Sequence, residues 1–405
     1  MPVLRGFRGL RYEDSEKIGD LVCPPYDIIS RAEQEELHQR HPHNAIRLEL
    51  AKDRGPEGYG KVAAELDQWV RDGVLRADPT DCLYVYRQDF EYEGQPRRVV
   101  GIIGALELEE FGEGAGVLPH ERTMEGPKAD RLALLGALRL NVSPIYGIYR
   151  GSGALSDFFG TLEHRPTAAR SQDDQGILHR MWTISAPAEV ELLASVVAPG
   201  PLVIADGHHR YETALAFHRS HPDGAPGSDS IMCFCVDADS EDLVVLPYNR
   251  AVKVQGDVDV AECIQRSGAA PIKADAVATL ADSKADHPFV FVTQKDDFLV
   301  EVADGEVVQA VGERARAWRD LDVVALHEAA LPKLFPGGVE ELTFSKDPDE
   351  IRRLVADQGW DLGVLLKALE ASQIVDVARS GERMPQKASY FWPKATTGLV
   401  FRSLR

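Results

Sequence analysis

The run Leu202-Val203-Ile204-Ala205-Asp206-Gly207-His208-His209-Arg210-Tyr211-Glu212 constrains this chain more than any other stretch. Its apolar start predicts a buried strand, Asp206-Gly207 a tight turn, and residues 211–218 the helix that follows. Gly207 carries no Cβ to keep a ligand off the backbone. The amides of His208 to Tyr211 then fall at a helix N-terminus, where outward N–H groups and the helix dipole favour an oxyanion. Arg210 adds a guanidinium able to grip phosphate with two hydrogen bonds. Asp206 is placed to hold a magnesium ion or to accept a proton from an attacking hydroxyl. His208 or His209 is placed to donate to a bridging oxygen, and because neighbours on a helix point to different sides, one of the two faces the ligand. The competing reading makes Asp206 a plain helix cap and both histidines surface residues.

Composition bounds the rest. A chain of 405 residues has room for two or three domains, each with its own core. An apolar fraction of 44% and a charged fraction of 27% are those of a globular protein and argue against disorder. No apolar run approaches the roughly 18 residues of a membrane span, and residues 1–20 lack the apolar segment of a secretory signal. A cytoplasmic location without a membrane partner is expected. Acidic residues outnumber basic ones by 65 to 45, and the formal charge of -20 repels nucleic-acid phosphates. No nucleic-acid partner is expected, whereas a small phosphate-bearing ligand is admitted wherever a few Arg and Lys dominate a closed pocket. Five sparse cysteines do not make a disulfide framework, and Cys233 and Cys235 read as buried strand residues.

Strand and helix signals alternate through the first half. Leu21-Val22 read as a strand end. Ser30 is an N-cap, with Glu33 completing a capping box. Residues 45–50 predict a strand, 59–74 an amphipathic helix, and 83–90 with 99–108 a hairpin through Glu93-Gly94. Residues 128–140 predict a buried helix, 143–149 a strand, 151–175 an irregular insertion, 189–197 a helix, and 231–236 with 243–254 a closing hairpin. The second half differs: helices over 258–267, 275–283 and 321–331, a hairpin over 289–294 and 298–302, a turn at Asp304-Gly305, and a helix opened by Asp347-Pro348. The expected architecture is α/β in the mixed, α+β sense. Its domains are 1–254, carrying the phosphate site, and 255–405, whose last segment is able to return to that site.

Three further clusters carry chemistry. Pro119-His120-Glu121-Arg122-Thr123 follows a glycine-rich stretch and precedes Arg131. His120 and Glu121 suit a base or metal ligand, and Arg122 and Arg131 can neutralise phosphate charge. Pro24-Pro25 pins a stiff loop that presents Tyr26 and Asp27. Near the end, Lys387, Ser389, Tyr390 and Lys394 are suited to phosphate, and strand alternation would set Lys387, Ser389 and Phe391 on one face. Each cluster also has a plain structural reading as a solvated loop, a strand-to-helix turn or a terminal strand.

Taken in order, Cys23-Pro24-Pro25-Tyr26-Asp27, Pro119-His120-Glu121-Arg122-Thr123, Asp206 to Ala214, and Met384-Pro385-Gln386-Lys387 with Tyr390-Phe391-Trp392-Pro393-Lys394 resemble the domain-of-unknown-function family 1015, over essentially the whole chain. The Gly207 to Glu212 turn is also similar to the phosphate-binding turn of the ParB and sulfiredoxin superfamily, which includes free serine kinases. That resemblance implies a ParB/sulfiredoxin-like nucleotide-binding core beside a second α+β domain. It further implies ATP or ADP with magnesium, Asp206 and Glu121 as metal ligands, and phosphoryl transfer with serine or phosphoserine as the substrate guess. Two departures stand out. Pro247-Tyr248-Asn249-Arg250 replaces the family's usual Pro-Thr-His-Arg, so Asn249 cannot transfer that histidine's proton, while Arg250 keeps its place near the ligand. Lys387-Ala388-Ser389-Tyr390 replaces Lys-Ser-Thr-Tyr and keeps one hydroxyl.

The resulting expectation is a magnesium-dependent phosphotransferase. In it Asp206, His208, His209, His120 and Glu121 do the chemistry. Gly207, Arg210, Arg122, Arg131, Lys387, Ser389, Tyr390, Lys394, Tyr26, Asp27 and Arg250 hold the nucleotide. The alternatives are a nucleotide-binding switch with little turnover and a metal-dependent hydrolase built on His120, Glu121 and one of the paired histidines.

Overall fold

The structure, a computed structural model, describes residues 1–15, 17–121, 126–221 and 224–405. It comprises two compact units. The first contains Met1–Pro119, Thr123–Leu243 and Pro393–Arg405; the second contains His120–Arg122 and Val244–Trp392. Each mixes helices with sheet, an α+β organisation.

The first unit is built on a nine-stranded mixed sheet. Its order is Val117–Pro119, Leu202–Asp206, Ile145–Tyr149, Ser230–Asp237, Gln95–Glu107, Leu83–Tyr92, Leu178–Ile184 and Ala169–Gln172, with Leu4–Arg5 added along Gln95–Glu107. The central strands are continuous apolar runs because both of their faces are covered: all of Ile145–Tyr149 is buried, and Cys233 and Cys235 are fully enclosed strand residues. Leu83–Tyr92 and Gln95–Glu107 form the hairpin expected from Glu93-Gly94. Both turn residues have positive φ, 52° and 70°, which lets a two-residue loop match the twist of its strands. The helix Gly55–Arg71 buries Tyr59, Val62, Leu66 and Trp69 at helical spacing. It packs on Gly126–Leu138, which packs in turn on His208–Arg219. The core joins Leu83, Ile102, Ile145, Leu202, Ile204 and Tyr211 from sheet and helix alike.

Four local expectations fail here. Residues 45–50 are not a strand. Asn44 Oδ1 accepts from the Ile46 amide at 2.9 Å and starts the short helix Ile46–Glu49. Its apolar residues are completely buried, so it lacks the one-sided pattern that would mark it as helix. Leu21 ends a helical turn, Ile18–Leu21, not a strand. The stretch 151–175 contains the helix Ser156–Thr161 and the strand Ala169–Gln172. Ser230–Asp237 makes no hairpin with 243–254, since it is already paired on both sides, with Gln95–Glu107 and Ile145–Tyr149.

The second unit carries a six-stranded antiparallel sheet. Its order is Pro271–Ile272, Asp297–Val302, His287–Val292, Leu362–Leu365, Asn249–Val254 and Val339–Ser345. Val244–Pro247 pairs separately with Ser389–Trp392. The helix Pro348–Asp357 starts as expected, with the Asp347 carboxylate accepting from the Asp349 amide and proline in the first turn. Asp304-Gly305 opens the helix Asp304–Val311 and is not a hairpin turn; acids in that first turn suit the helix dipole. Residues 321–331 do not form one regular helix: Ala325–Ala330 is π-helical.

Candidate functional site

Asp206 is the last residue of the Leu202–Asp206 strand, and Gly207 turns the chain in the left-handed region, φ 87° and ψ 26°. Only glycine is comfortable there: a Cβ would lie 2.9 Å from Ile145 Cγ2 and 3.0 Å from Arg210 Nε. The helix His208–Arg219 begins at once, with the Tyr211 amide donating to Gly207 O at 3.0 Å. No side chain caps this helix start, so Asp206 is not the plain cap of the competing reading.

Asp206 instead gathers two cations. Its Oδ2 accepts from Arg210 Nη2 at 2.9 Å and its Oδ1 from Lys394 Nζ at 2.7 Å. Burial alone would raise its pKa, but the Lys394 ammonium and the Arg210 guanidinium outweigh burial and hold the carboxyl at about 2. Arg210 also donates through Nη1 to Ser143 Oγ at 3.0 Å and to Pro144 O at 2.6 Å, while its buried Nε has no partner among the described residues.

A second layer fixes Ser143. Glu49, 2% exposed, accepts from Ser143 Oγ at 2.9 Å and from the Tyr26 amide at 3.2 Å. Arg131 donates to Glu49 O at 2.9 Å and lies over the Tyr26 ring at 4.5 Å, a cation–π contact. A cavity of about 60 Å³, lined by Tyr26, Glu49, Arg131, Arg210 and Thr213 among others, lies within this layer. Asp27 follows Tyr26 in a short 3-10 turn and keeps part of its surface in solvent. The protein packed around its carboxyl thins the water there, and this with the negative charge of Asp206 pushes its pKa up, against the pull of Arg210 and Lys394.

The first unit therefore brings together Asp206, Gly207, Arg210, Lys394, Tyr26, Asp27 and Arg131. His208 is buried, 4% exposed, and His209 is partly exposed, so the two do face different surroundings. Sequence reasoning missed Glu49 and Ser143. A carboxylate inside the otherwise apolar run Ala45-Ile46-Arg47-Leu48-Glu49-Leu50 was the available signal for Glu49.

The second unit holds another group of the expected residues. His120, 1% exposed, lies with Nε2 3.1 Å from Ser389 Oγ. Glu121 bridges to Met384 through the backbone, beside the Met384 amide that donates to His120 O at 2.8 Å. Lys387 sits in the left-handed region at φ 55°, outside the strand Ser389–Trp392, so it does not share a strand face with Ser389 and Phe391. Its ammonium lies 5.1 Å from the Tyr248 ring centroid, and Tyr390 is almost fully buried against Tyr248. Arg250 is 1% exposed. Its Nη2 donates to Lys387 O at 3.1 Å, its Nε to His327 Nε2 at 3.1 Å, and its Nη1 to Tyr248 O. It has no carboxylate partner among the described residues, and burial lowers its pKa to about 9. Asn249 Oδ1 accepts from the Leu366 amide at 3.1 Å, while its Nδ2 has no partner among the described residues. Arg122 lies outside the described residues.

Among the described residues, no three His, Cys, Asp or Glu side chains come close enough to hold a metal ion. Among the same residues, no helix is long and apolar enough to cross a membrane.

A family described as a protein of unknown function, DUF1015, matches residues 4–324. No curated protein matches the chain in sequence. Among solved structures, a free serine kinase in complex with AMP is similar at 14% identity and a TM-score of 0.35, over 68% of this chain and 83% of that one. SbnI with a C-terminal truncation, from Staphylococcus aureus, is similar at 9% identity and a TM-score of 0.38, over 73% and 85%. A conserved hypothetical protein from Pyrococcus furiosus is similar at 14% identity and a TM-score of 0.34, over 70% and 92%.

Proposed function

This chain belongs to the DUF1015 family, and we propose that it is a nucleotide-dependent phosphotransferase acting on a small hydroxylated metabolite. One observation carries this reading: a glycine-entered helix start that lies beside two cations, Arg210 and Lys394, drawn together on one carboxylate. Phosphate oxygens of ATP or ADP accept from the helix-start amides, and Arg210 and Lys394 offset their charge. Phosphoryl transfer asks for little beyond such positioning and charge neutralisation.

Asp206 is the organiser of the two cations and not the base, because a carboxyl held at about 2 has little affinity for a proton near neutral pH. Both its oxygens are occupied by cations, so the residues present do not fit a magnesium ion at Asp206, and no step is assigned to one. Asp27 takes the proton of the acceptor hydroxyl as that oxygen bonds to the terminal phosphorus of the nucleotide. The bond from that phosphorus to the bridging oxygen breaks, releasing ADP when the donor is ATP and AMP when it is ADP. The raised pKa of Asp27 and its contact with solvent suit this role. Asp27→Asn should lower turnover by at least about 100-fold while leaving the nucleotide-induced thermal shift in place. Serine and phosphoserine are the first acceptors to test.

The experiment is a thermal-shift screen with ATP and ADP, each with magnesium chloride, followed by phosphorus NMR of products with serine and phosphoserine. A nucleotide at a hundredfold excess over its Kd should add about 2.7 kcal/mol of stability. Absence of any nucleotide shift would remove the reading.

A further inference from the structure

The first unit has a second cavity, of about 450 Å³, lined by none of the Asp206 cluster. That volume suits a small organic ligand. Strand register builds its floor. Tyr149 pairs with Asp237, Asp237 continues the register that sets Val236 against Gly101 and so falls opposite Val100, and Val100 pairs with Arg87. Directly opposed residues share a face of the sheet, and strands lie about 4.8 Å apart, so Asp237 sits roughly 10 Å from Arg87. Leu155 and Phe159, at and within the short helix Ser156–Thr161, wall the cavity together with Trp182.

Charge is distributed unevenly along that floor. Arg87 is consumed by ion pairs with Asp89 at 2.6 Å and with Glu163, and Arg98 pairs with Asp89 at 3.3 Å. At the other end Asp237 accepts from the amides of Gly151, Gly153 and Asp239 at 2.9, 2.8 and 3.0 Å, and forms no ion pair among the described residues. Asp239 beside it has one guanidinium contact among the described residues, Arg150 Nη1 at 3.4 Å. Gly151 keeps the corner open, since a Cβ there would lie 2.6 Å from the Tyr149 ring and 2.8 Å from Asp237 Oδ2.

Tyr149 is the independent sign of a ligand. The residue is 4% exposed, yet its hydroxyl opens onto the cavity and makes no hydrogen bond to another described residue. A tyrosine with an enclosed ring and an open hydroxyl presents a polar handle to whatever fills the space. A protonated amine answers all of these features: it supplies the hydroxyl with a donor, Asp237 with a cation, and the aromatic walls with a charge they attract.

We infer that this cavity is a second ligand site that takes an organic amine, its ammonium against Asp237 and the Tyr149 hydroxyl and its apolar body between Phe159 and Trp182.

The test is calorimetric titration of the full chain with phenethylamine, 2-phenylethanol and 3-phenylpropionate. These probes share a body and differ in the polar group. Phenethylamine should bind, the alcohol should bind at least about tenfold more weakly, and the carboxylate more weakly still. Tyr149→Phe should weaken the amine by about three- to tenfold. Ser156→Trp, at an exposed position of the wall, should abolish amine binding while leaving the Tm unchanged. An alcohol that matches the amine, amine binding that survives Ser156→Trp in a folded protein, or no amine binding at millimolar concentration would each overturn the assignment.

Discussion

Arg210 and Arg250 are both withdrawn from solvent, and they are held in opposite ways. Arg210 leans on the Asp206 carboxylate, and although burial works against its charge, Asp206 and Asp27 more than offset that and raise its pKa. Among the described residues Arg250 has only neutral acceptors, two backbone carbonyls and a histidine nitrogen, and burial lowers its pKa to about 9. The difference teaches what each can do. An arginine resting on a carboxylate can exchange it for a phosphate of similar shape and charge. An arginine spent on backbone carbonyls has nothing to exchange. It acts as a buttress, here of Lys387, whose backbone sits in a region that side chains other than glycine rarely adopt. The sequence expectation sets Arg250 against a nucleotide; in the structure its guanidinium is held by Tyr248 O, Lys387 O and His327.

Four changes would break or sharpen that contrast. Asp206→Asn should have the largest effect. Stranding two buried cations should cost about 3–5 kcal/mol in urea denaturation, and turnover should fall at least about 100-fold. Arg250→Met should cost less, about 2–3 kcal/mol, since it leaves neutral acceptors unsatisfied and strands no charge. It should also leave the nucleotide-induced thermal shift in place. If Arg250→Met proved the more damaging of the two, the contrast would be wrong. Gly207→Ala should cost about 1–3 kcal/mol, through its positive φ and the crowding against Ile145, and should weaken nucleotide binding.

The smallest effect is one of pH. Burial, and then the charge of Arg250, hold His327 at about 4, below the ordinary histidine value of about 6.5. Its contribution to stability is therefore present above about pH 6.5 and is lost as pH falls through 4. Asp206 is also depressed, but from about 3.9 to about 2, so its contribution survives to lower pH. Acid should weaken the second unit first, and His327→Gln should flatten the fall in Tm between pH 6.5 and 4. His287 has the opposite sign. Burial pulls it down, but Asp322 and Asp304 raise it overall, so its contribution is full below about 6.5 and is lost as pH rises through its folded value. Measured Tm that stays flat on both sides would remove this part of the comparison.

What was legible in the sequence was local. The strand, the glycine and the helix around Asp206 are encoded within a dozen residues, as are the Ser30 capping box and the Asp347-Pro348 helix start. What was not legible depends on distant partners. Glu49 gains its role only because Ser143, 94 residues away, meets it. A fully enclosed helical turn such as Ile46–Glu49 loses the periodicity that betrays a helix, so it read as a strand. The motif marks Arg210 as a cation beside Asp206, but its other partners are not legible there, because Ser143 and Pro144 lie more than 60 residues earlier in the chain.

The pairing of Lys394 with Asp206 spans 188 residues. During synthesis the ribosome must therefore deliver the whole second unit before the first can receive its last cation. Until then Asp206 has one counterion instead of two, and its carboxyl sits in a half-neutralised pocket. A nascent or prematurely stopped chain ending before Pro393 would thus carry the glycine turn and Arg210 and yet lack the ammonium that closes the far side of the Asp206 carboxylate.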